Sequence, residues 1–173
     1  KSTISADNES TQNIVDKATV SATSEIIFQF RGQGILNVGS GHDLFTSDNV
    51  FRSTMLKFEA KIRSLIGVNI TSILYPDKLN LKNASELITE TRYSQPILIA
   101  LECSLADMWM SKGVIPRAVL GHSIGEYAAC YAAGVLSLED TAKLICKRGE
   151  LTQKYDKCRG SMVALRASAE EIT

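Results

Sequence analysis

No charge of either sign prevails in this sequence. Lysine plus arginine and aspartate plus glutamate each number 19, so no net field points to nucleic acid or to an anionic membrane surface. No apolar run approaches the length of a membrane span. The four cysteines (Cys103, Cys130, Cys146 and Cys158) contain no C-x-x-C pair, which excludes the commonest metal and redox spacing. Three of them fall in apolar helical patterns and read as buried free thiols of a reducing compartment. Asn69 and Asn83 open Asn-x-Ser/Thr sequons, but without a signal peptide these read as chance matches. Histidine is scarce, with only His42 and His122. There is no internal repeat. The 173 residues suffice for one domain with a sizeable core and not obviously for two. The expectation is a soluble, cytoplasmic domain.

The chain starts at Lys1 rather than a methionine, which suggests a piece of something longer. Residues 1–25 are rich in Ser, Thr, Asn and Asp and have linker composition. Order begins at "IIFQF" (26–30), which reads as a buried strand. A glycine-rich loop follows, with Gly32, Gly34, Gly39 and Gly41. Phe51, Met55, Phe58, Ile62 and Leu65 then recur at helical spacing, with Asp48 as the cap and Gly67 as the stop. Short helical turns are expected in "NITSILYPD" and "ASELITET". "YSQPILIALECSLADMWMSKG" predicts a long central helix capped by Ser94, with Pro96 in its first turn and Gly113 at its end. "IPRAVLG" is a second strand, followed by helix 124–133, a break at Gly134 and a helix opened by Ser137. The spacing Ser137–Asp140 resembles a capping box with Asp in place of Glu. Residues 161–166 read as a further strand, with a first helical turn after it. Alternating strands and helices predict an α/β fold with a parallel sheet and flanking helices.

The stretch "AVLGHSIGEYAAC" (118–130) carries the chemistry. Gly-His-Ser-Ile-Gly, between a predicted strand and a predicted helix, fits the nucleophile elbow G-x-S-x-G, where a side chain at either glycine would clash with neighbouring backbone. Such a turn aims the Ser123 hydroxyl outward. It leaves the Ile124 N–H at a helix N-terminus, where negative charge is favoured. A second oxyanion donor has to come from another loop. The Gln33 N–H, between Gly32 and Gly34, is the candidate, and a mere tight turn is its rival reading. Losing one such donor typically costs about 3 kcal/mol of transition-state stabilisation. A dinucleotide fingerprint would need glycine where Asn37 stands, and a P-loop would need Gly-Lys-Ser/Thr.

Arg148 falls on the same helical face as Leu138, Thr141, Ala142, Ile145 and Gly149. It either snorkels to solvent or awaits an anion, and an arginine fork suits a carboxylate. His122 is adjacent to Ser123 and leaves the turn in another direction. His42 lies in a polar stretch and reads as structural or exposed. Cys130 reads as a small core residue. No histidine follows Ser123, so the triad logic is incomplete in this chain.

The blocks "FQFRGQG", "VGSGHDLF", "YSQPILIALECSL", "AVLGHSIGEYAAC", "AGVLSLEDTAKLICKRG" and "GSMVALRAS" run in order from about residue 26 to 173. Through them the chain resembles the malonyl-CoA:acyl-carrier-protein transacylases and the acyltransferase domains of polyketide and fatty-acid synthases. The resemblance implies an α/β-hydrolase-like acyltransferase core over 26–160 and the start of a ferredoxin-like small subdomain over 161–173. It implies that Ser123 takes a malonyl-type acyl group from coenzyme A as an ester and passes it to the phosphopantetheine thiol of an acyl carrier protein.

It further implies an oxyanion hole from the Gln33 and Ile124 amides, carboxylate binding by Arg148, and a place for Gln95 in the lining of the site. Ile124 leans towards malonyl. No tightly bound cofactor is implied; the coenzyme A thioester is substrate, and neighbouring synthase domains are expected partners. The chain departs from the family at Ile35-Leu36, where Ser-Gln is usual, and at Arg31, where a small residue or proline is common. The family's catalytic histidine lies beyond the small subdomain, so the chain is expected to be the first half of a domain. The other readings are a serine hydrolase (esterase or thioesterase) sharing the elbow, and a non-catalytic truncated segment. Arg148 separates the first two, since a hydrolase of neutral esters has no need of it.

Overall fold

Strands β1 (Ile27–Phe30) and β2 (Ala118–Gly121) lie side by side in parallel, with Ile27 opposite Ala118 and Phe30 opposite Gly121. Parallel pairing requires a crossover, and here it holds five helices: α1 (His42–Ser47), α2 (Asn49–Ile66), α3 (Ile70–Leu74), α4 (Leu81–Leu87) and α5 (Thr91–Ser111). After β2 come α6 (Gly125–Ala132), α7 (Leu138–Tyr155) and a 3-10 turn at Ala169–Glu171. This computed structural model describes residues 26–34, 36–155 and 166–171. The linker expected over 1–25, the strand expected over 161–166 apart from Arg166, and Ile35 and Cys158 lie outside the described residues.

The local signals explain most element ends. The Asp48 carboxylate accepts the Val50 and Phe51 N–H groups, each at 3.0 Å, which satisfies two orphan donors at the start of α2. Gly67, at φ 72°, closes that helix in the left-handed conformation. Phe51, Met55, Phe58 and Ile62 form its buried stripe, and full burial of such side chains contributes about 1.5–3 kcal/mol each. Leu65, expected on that stripe, is instead exposed, and Ile66 packs against the core. At α7, the Asp140 N–H donates to Ser137 Oγ at 3.1 Å. The return arm of the capping box is replaced by the Ser137 hydroxyl donating to the Asp140 carboxylate, because Asp is one methylene shorter than Glu.

Three expectations need correction. Helix α5 starts after Glu90, so Ser94 and Pro96 lie inside it rather than at its cap and first turn. Ser94 is buried in the packed interior, where its hydroxyl has no partner among the described residues. Strand β1 is only partly covered: Phe30 is buried, but Ile27 is 56% exposed. Among the described residues the sheet has two strands, so little material covers its outer side. Helix α6 is shorter than expected at both ends, 125–132.

Helix α5 is the hub, as its mostly apolar circumference requires. It packs against α7, α2 and α6. Asp107 accepts hydrogen bonds from Thr54 (2.7 Å) and from the Tyr131 hydroxyl (2.9 Å), tying α2 and α6 to this hub. Helix α6, which follows Ser123, is thus tied to the hub through Tyr131.

Candidate active site

Ser123 stands alone among the described non-glycine residues in having positive φ, at 53°. A left-handed conformation costs an L-residue about 1–2 kcal/mol, so the surrounding chain must hold it. The two flanking glycines do so by close approach. A Cβ on Gly121 would lie 2.3 Å from the Glu126 N and Gly125 C atoms, and one on Gly125 would lie 2.5 Å from the Arg31 carbonyl oxygen. Neither position tolerates a side chain. The turn closes with Gly125 N–H to the His122 carbonyl (2.9 Å), Glu126 N–H to Ser123 (3.3 Å) and Tyr127 N–H to Ile124 (3.1 Å). The Ile124 N–H is left without an acceptor among the described residues at the mouth of α6. Ser123 is exposed, while the Ile124 side chain is fully buried.

The loop 31–34 lies against this elbow. A Cβ on Gly32 would come within 2.6 Å of His122 Nδ1 and 3.0 Å of the His122 carbonyl, so Gly32 lets the two segments touch. The Gln33 side chain accepts a 2.9 Å hydrogen bond from Gln95 Nε2. Gln95 is fully buried, and its own Oε1 has no partner among the described residues. The structure therefore brings together the elbow, the Gln33 loop and Gln95, three segments far apart in sequence.

Arg148 is placed differently. It lies half-buried on α7 beside Gly149, whose Cβ would stand 3.1 Å from both the Thr91 carbonyl oxygen and Arg92 Cα. Close packing of α7 on the first turn of α5 thus carries Arg148 towards the helix that bears Gln95. Its guanidinium makes no ion pair or side-chain hydrogen bond among the described residues, and no such contact joins it to Ser123, Gln33 or Gln95.

His122 and His42 are both exposed. The His42 ring meets Tyr75 edge-on at 5.2 Å, a packing contact. No imidazole hydrogen-bonds Ser123 among the described residues. Cys146 and Cys103 are poor nucleophiles here: burial pushes the Cys146 thiol up to about 12 and the Cys103 thiol well up, whereas Cys130, expected in the core, is only partly buried. Cys103, Cys130 and Cys146 are free. Among the described residues no group of three His, Cys, Asp or Glu side chains could hold a metal ion, and no helix is long and apolar enough to cross a membrane.

Sequence reasoning missed one side chain. Glu102 is 8% exposed, and its Oε1 accepts the Arg31 N–H at 3.1 Å. Burial raises its carboxyl to about 7, against the opposing effects of the Arg31 N–H and guanidinium. Its signal was a lone carboxylate inside the otherwise apolar "ILIALECSLA". A cavity of about 810 Å³ beside β1, lined by Phe28, Leu36, Leu101, Leu105 and Trp109, also reaches Glu102. Ser123, Gln33, Gln95 and Arg148 are not part of its wall.

Residues 27–173 match the family described as the acyl transferase domain. The chain is 34% identical over 151 residues to the PKS-NRPS hybrid synthetase ATPKS of Aspergillus niger, covering 87% of this chain and 8% of that protein. Its fold is similar to the solved acyl transferase domain of ZmaA, with TM-score 0.72 and 38% identity, covering 75% of this chain and 30% of that one. It is also similar to a chain of a complex between a type II polyketide synthase acyl-carrier protein and its malonyl-transacylase. There the TM-score is 0.63 and the identity 28%, covering 76% of this chain and 40% of that one. The chain thus spans under a tenth of the synthetase and well under half of either solved chain. A strained serine between two glycines that cannot carry side chains, a small parallel sheet flanked by helices, and these matches agree: the chain belongs to the acyl transferase domain family.

Proposed function

We propose that this chain acts within a polyketide or fatty-acid synthase, moving a malonyl-type group from coenzyme A to an acyl carrier protein. Ser123 is the nucleophile. Its Oγ attacks the thioester carbonyl, its proton passes to a base and on to the leaving coenzyme A sulfur, and the acyl-serine ester forms. The phosphopantetheine thiol of the carrier protein then gives its proton to the base as it attacks that ester, and the base returns a proton to the departing Ser123 oxygen. The Ile124 and Gln33 N–H groups stabilise the oxyanion in both halves of this ping-pong cycle. Among the described residues no imidazole serves Ser123, so the base is left to the rest of the protein.

The observation that carries this reading is Ser123 at φ 53° on a strand-to-helix turn, within a chain of this family. Strain at one residue, enforced by glycines on both sides, is what an exposed nucleophile at a helix N-terminus requires. In the same reading Arg148, on α7 and without an anionic partner among the described residues, binds the free carboxylate of the acyl group. Gln95 holds the Gln33 loop and lines the site. Ile124 favours malonyl. The coenzyme A thioester is substrate and no tightly bound cofactor takes part. The long synthetase relative and the carrier-protein complex support neighbouring synthase domains and a carrier protein as partners. A cytoplasmic setting belongs to the same proposal. Residues 26–160 would form the core and 161–173 open a small subdomain.

Competition between malonyl-CoA and a neutral acyl-CoA tests the reading. Arg148→Ala in the full-length protein should shift preference from malonyl towards the neutral acyl group by about 10-fold or more, as expected for losing a charged hydrogen-bonded contact. Unchanged malonyl selectivity would remove Arg148 from the site. Hydrolysis of neutral esters that is indifferent to Arg148 would favour a serine hydrolase.

A further inference from the structure

Loop 31–34 is gripped at two points by one face of α5. Gln95 and Glu102 are seven residues apart, two helical turns, so they project from the same side of the helix about 10.5 Å apart along its axis. Gln95 Nε2 donates to the side chain of Gln33 at 2.9 Å, and Glu102 Oε1 accepts the main-chain N–H of Arg31 at 3.1 Å. The opposite side of the loop is pressed by the elbow, through Gly125 against the Arg31 carbonyl and His122 against Gly32.

We propose that Glu102 is a positioning residue for the oxyanion hole. By holding the Arg31 N–H, its carboxyl sets the direction in which the Gln33 N–H points. This rests on the roles given above to Ser123 and Gln33.

Three observations favour positioning over packing alone. Glu102 sits among Leu98, Leu101, Leu105 and Ala106, where an apolar residue would fill the space without the cost of desolvating a carboxyl. Its other oxygen, Oε2, is buried without a partner among the described residues, so the one hydrogen bond it makes is the one to the loop. That bond spans 71 residues and lands two residues before Gln33. An oxyanion donor must meet the developing charge within a few tenths of an ångström, and a displacement of about 1 Å costs on the order of 100-fold in rate. Only Gly32 separates Arg31 from Gln33, so a shift at the anchor passes directly to the donor.

The test uses the full-length protein, with acylation of Ser123 by malonyl-CoA followed at several concentrations. Glu102→Leu keeps much of the volume and removes the acceptor; Glu102→Gln keeps an acceptor oxygen. Positioning predicts that Glu102→Leu lowers the maximal acylation rate about 10–100-fold while KM stays within about 2-fold. Glu102→Gln should recover to within about 3-fold of the wild type. Amide exchange at Arg31, whose N–H the carboxyl holds, should accelerate about 10-fold or more in Glu102→Leu and not in Glu102→Gln. A Glu102→Leu protein that acylates at the wild-type rate, or a Glu102→Gln protein that falls as far as Glu102→Leu, overturns the proposal. If Glu102→Leu fails to fold, Glu102→Asp withdraws the carboxyl by one methylene and should show the same loss of rate; wild-type acylation by that variant overturns the proposal. Should the wild type itself leave Ser123 unacylated, the acyltransferase reading fails, and the exchange rates alone then decide whether Glu102 anchors the loop.

Discussion

Gln95 reaches across 62 residues of sequence to donate a 2.9 Å hydrogen bond to the Gln33 side chain. Gln95 is fully buried and Gln33 is exposed, so the bond fastens a surface loop to the interior of the hub helix. Replacing Gln95 by Leu keeps the volume and removes the donor. Acylation of Ser123 in the full-length protein should then fall about 10-fold, because the Gln33 loop loses one of its two holds on α5. Stability should change by only about 1 kcal/mol, the ordinary net worth of a hydrogen bond. Paired melting curves and acylation rates check both; a large loss of stability with an unchanged rate would make Gln95 a packing residue.

Strain at Ser123 predicts a trade between stability and activity. Glycine at this position abolishes the nucleophile and also relieves the left-handed φ of 53°. Ser123→Ala abolishes the nucleophile and keeps the strain. The glycine variant should therefore be more stable than the alanine variant by about 1 kcal/mol, measured by denaturant midpoints at equal m. Equal stabilities would mean that the turn relaxes when the serine is removed.

Glu102 gives stability a pH dependence of definite sign. Its carboxyl is raised from the ordinary 4.5 to about 7, chiefly by burial, with the Arg31 N–H and guanidinium opposing and the Cys103 thiol adjacent. The folded state therefore binds the proton more tightly than the unfolded chain. The stabilisation is fully present below pH of about 4.5 and is lost as pH rises through about 7. Across that window the Tm of the wild type should fall relative to that of Glu102→Gln, which does not titrate. Parallel Tm profiles would show that Glu102 titrates alike in the folded and unfolded states.

The sequence was most legible where covalent geometry forces the residue choice. Gly121 and Gly125 are required because backbone lies 2.3–2.5 Å from where their Cβ atoms would be, and a five-residue pattern conveys that. Asp48 and Gly67 mark the ends of α2 for equally local reasons. Legibility failed where tertiary packing overrode local preference. Ser94 and Pro96 look like a helix start, yet α5 begins a turn further back, with Glu90 at the N-cap position and no side-chain cap. The Gly149 contact shows α7 packed against that added turn. Strand β1 was expected to be buried, and Ile27 is not, because coverage depends on which strands and helices lie alongside. The glycines on either side of Gln33 mark its loop and the family resemblance marks Gln95, but their mutual bond and the Glu102 anchor connect residues 62 and 71 apart. No spacing rule reaches that far. Arg148 falls on a helical face that the spacing makes plain, whereas no residue pattern along the chain identifies the anion proposed for it.

The central claim is that Ser123 carries the acyl group, and trapping the intermediate tests it most directly. Full-length protein is incubated with malonyl-CoA in the absence of carrier protein, quenched in acid and digested, and the peptide spanning Ser123 is weighed. The account predicts a malonyl ester on Ser123 that is absent from Ser123→Ala and is discharged when a phosphopantetheinylated carrier protein is added. A malonyl group on another residue, or on none while transfer to the carrier protein proceeds, would contradict it.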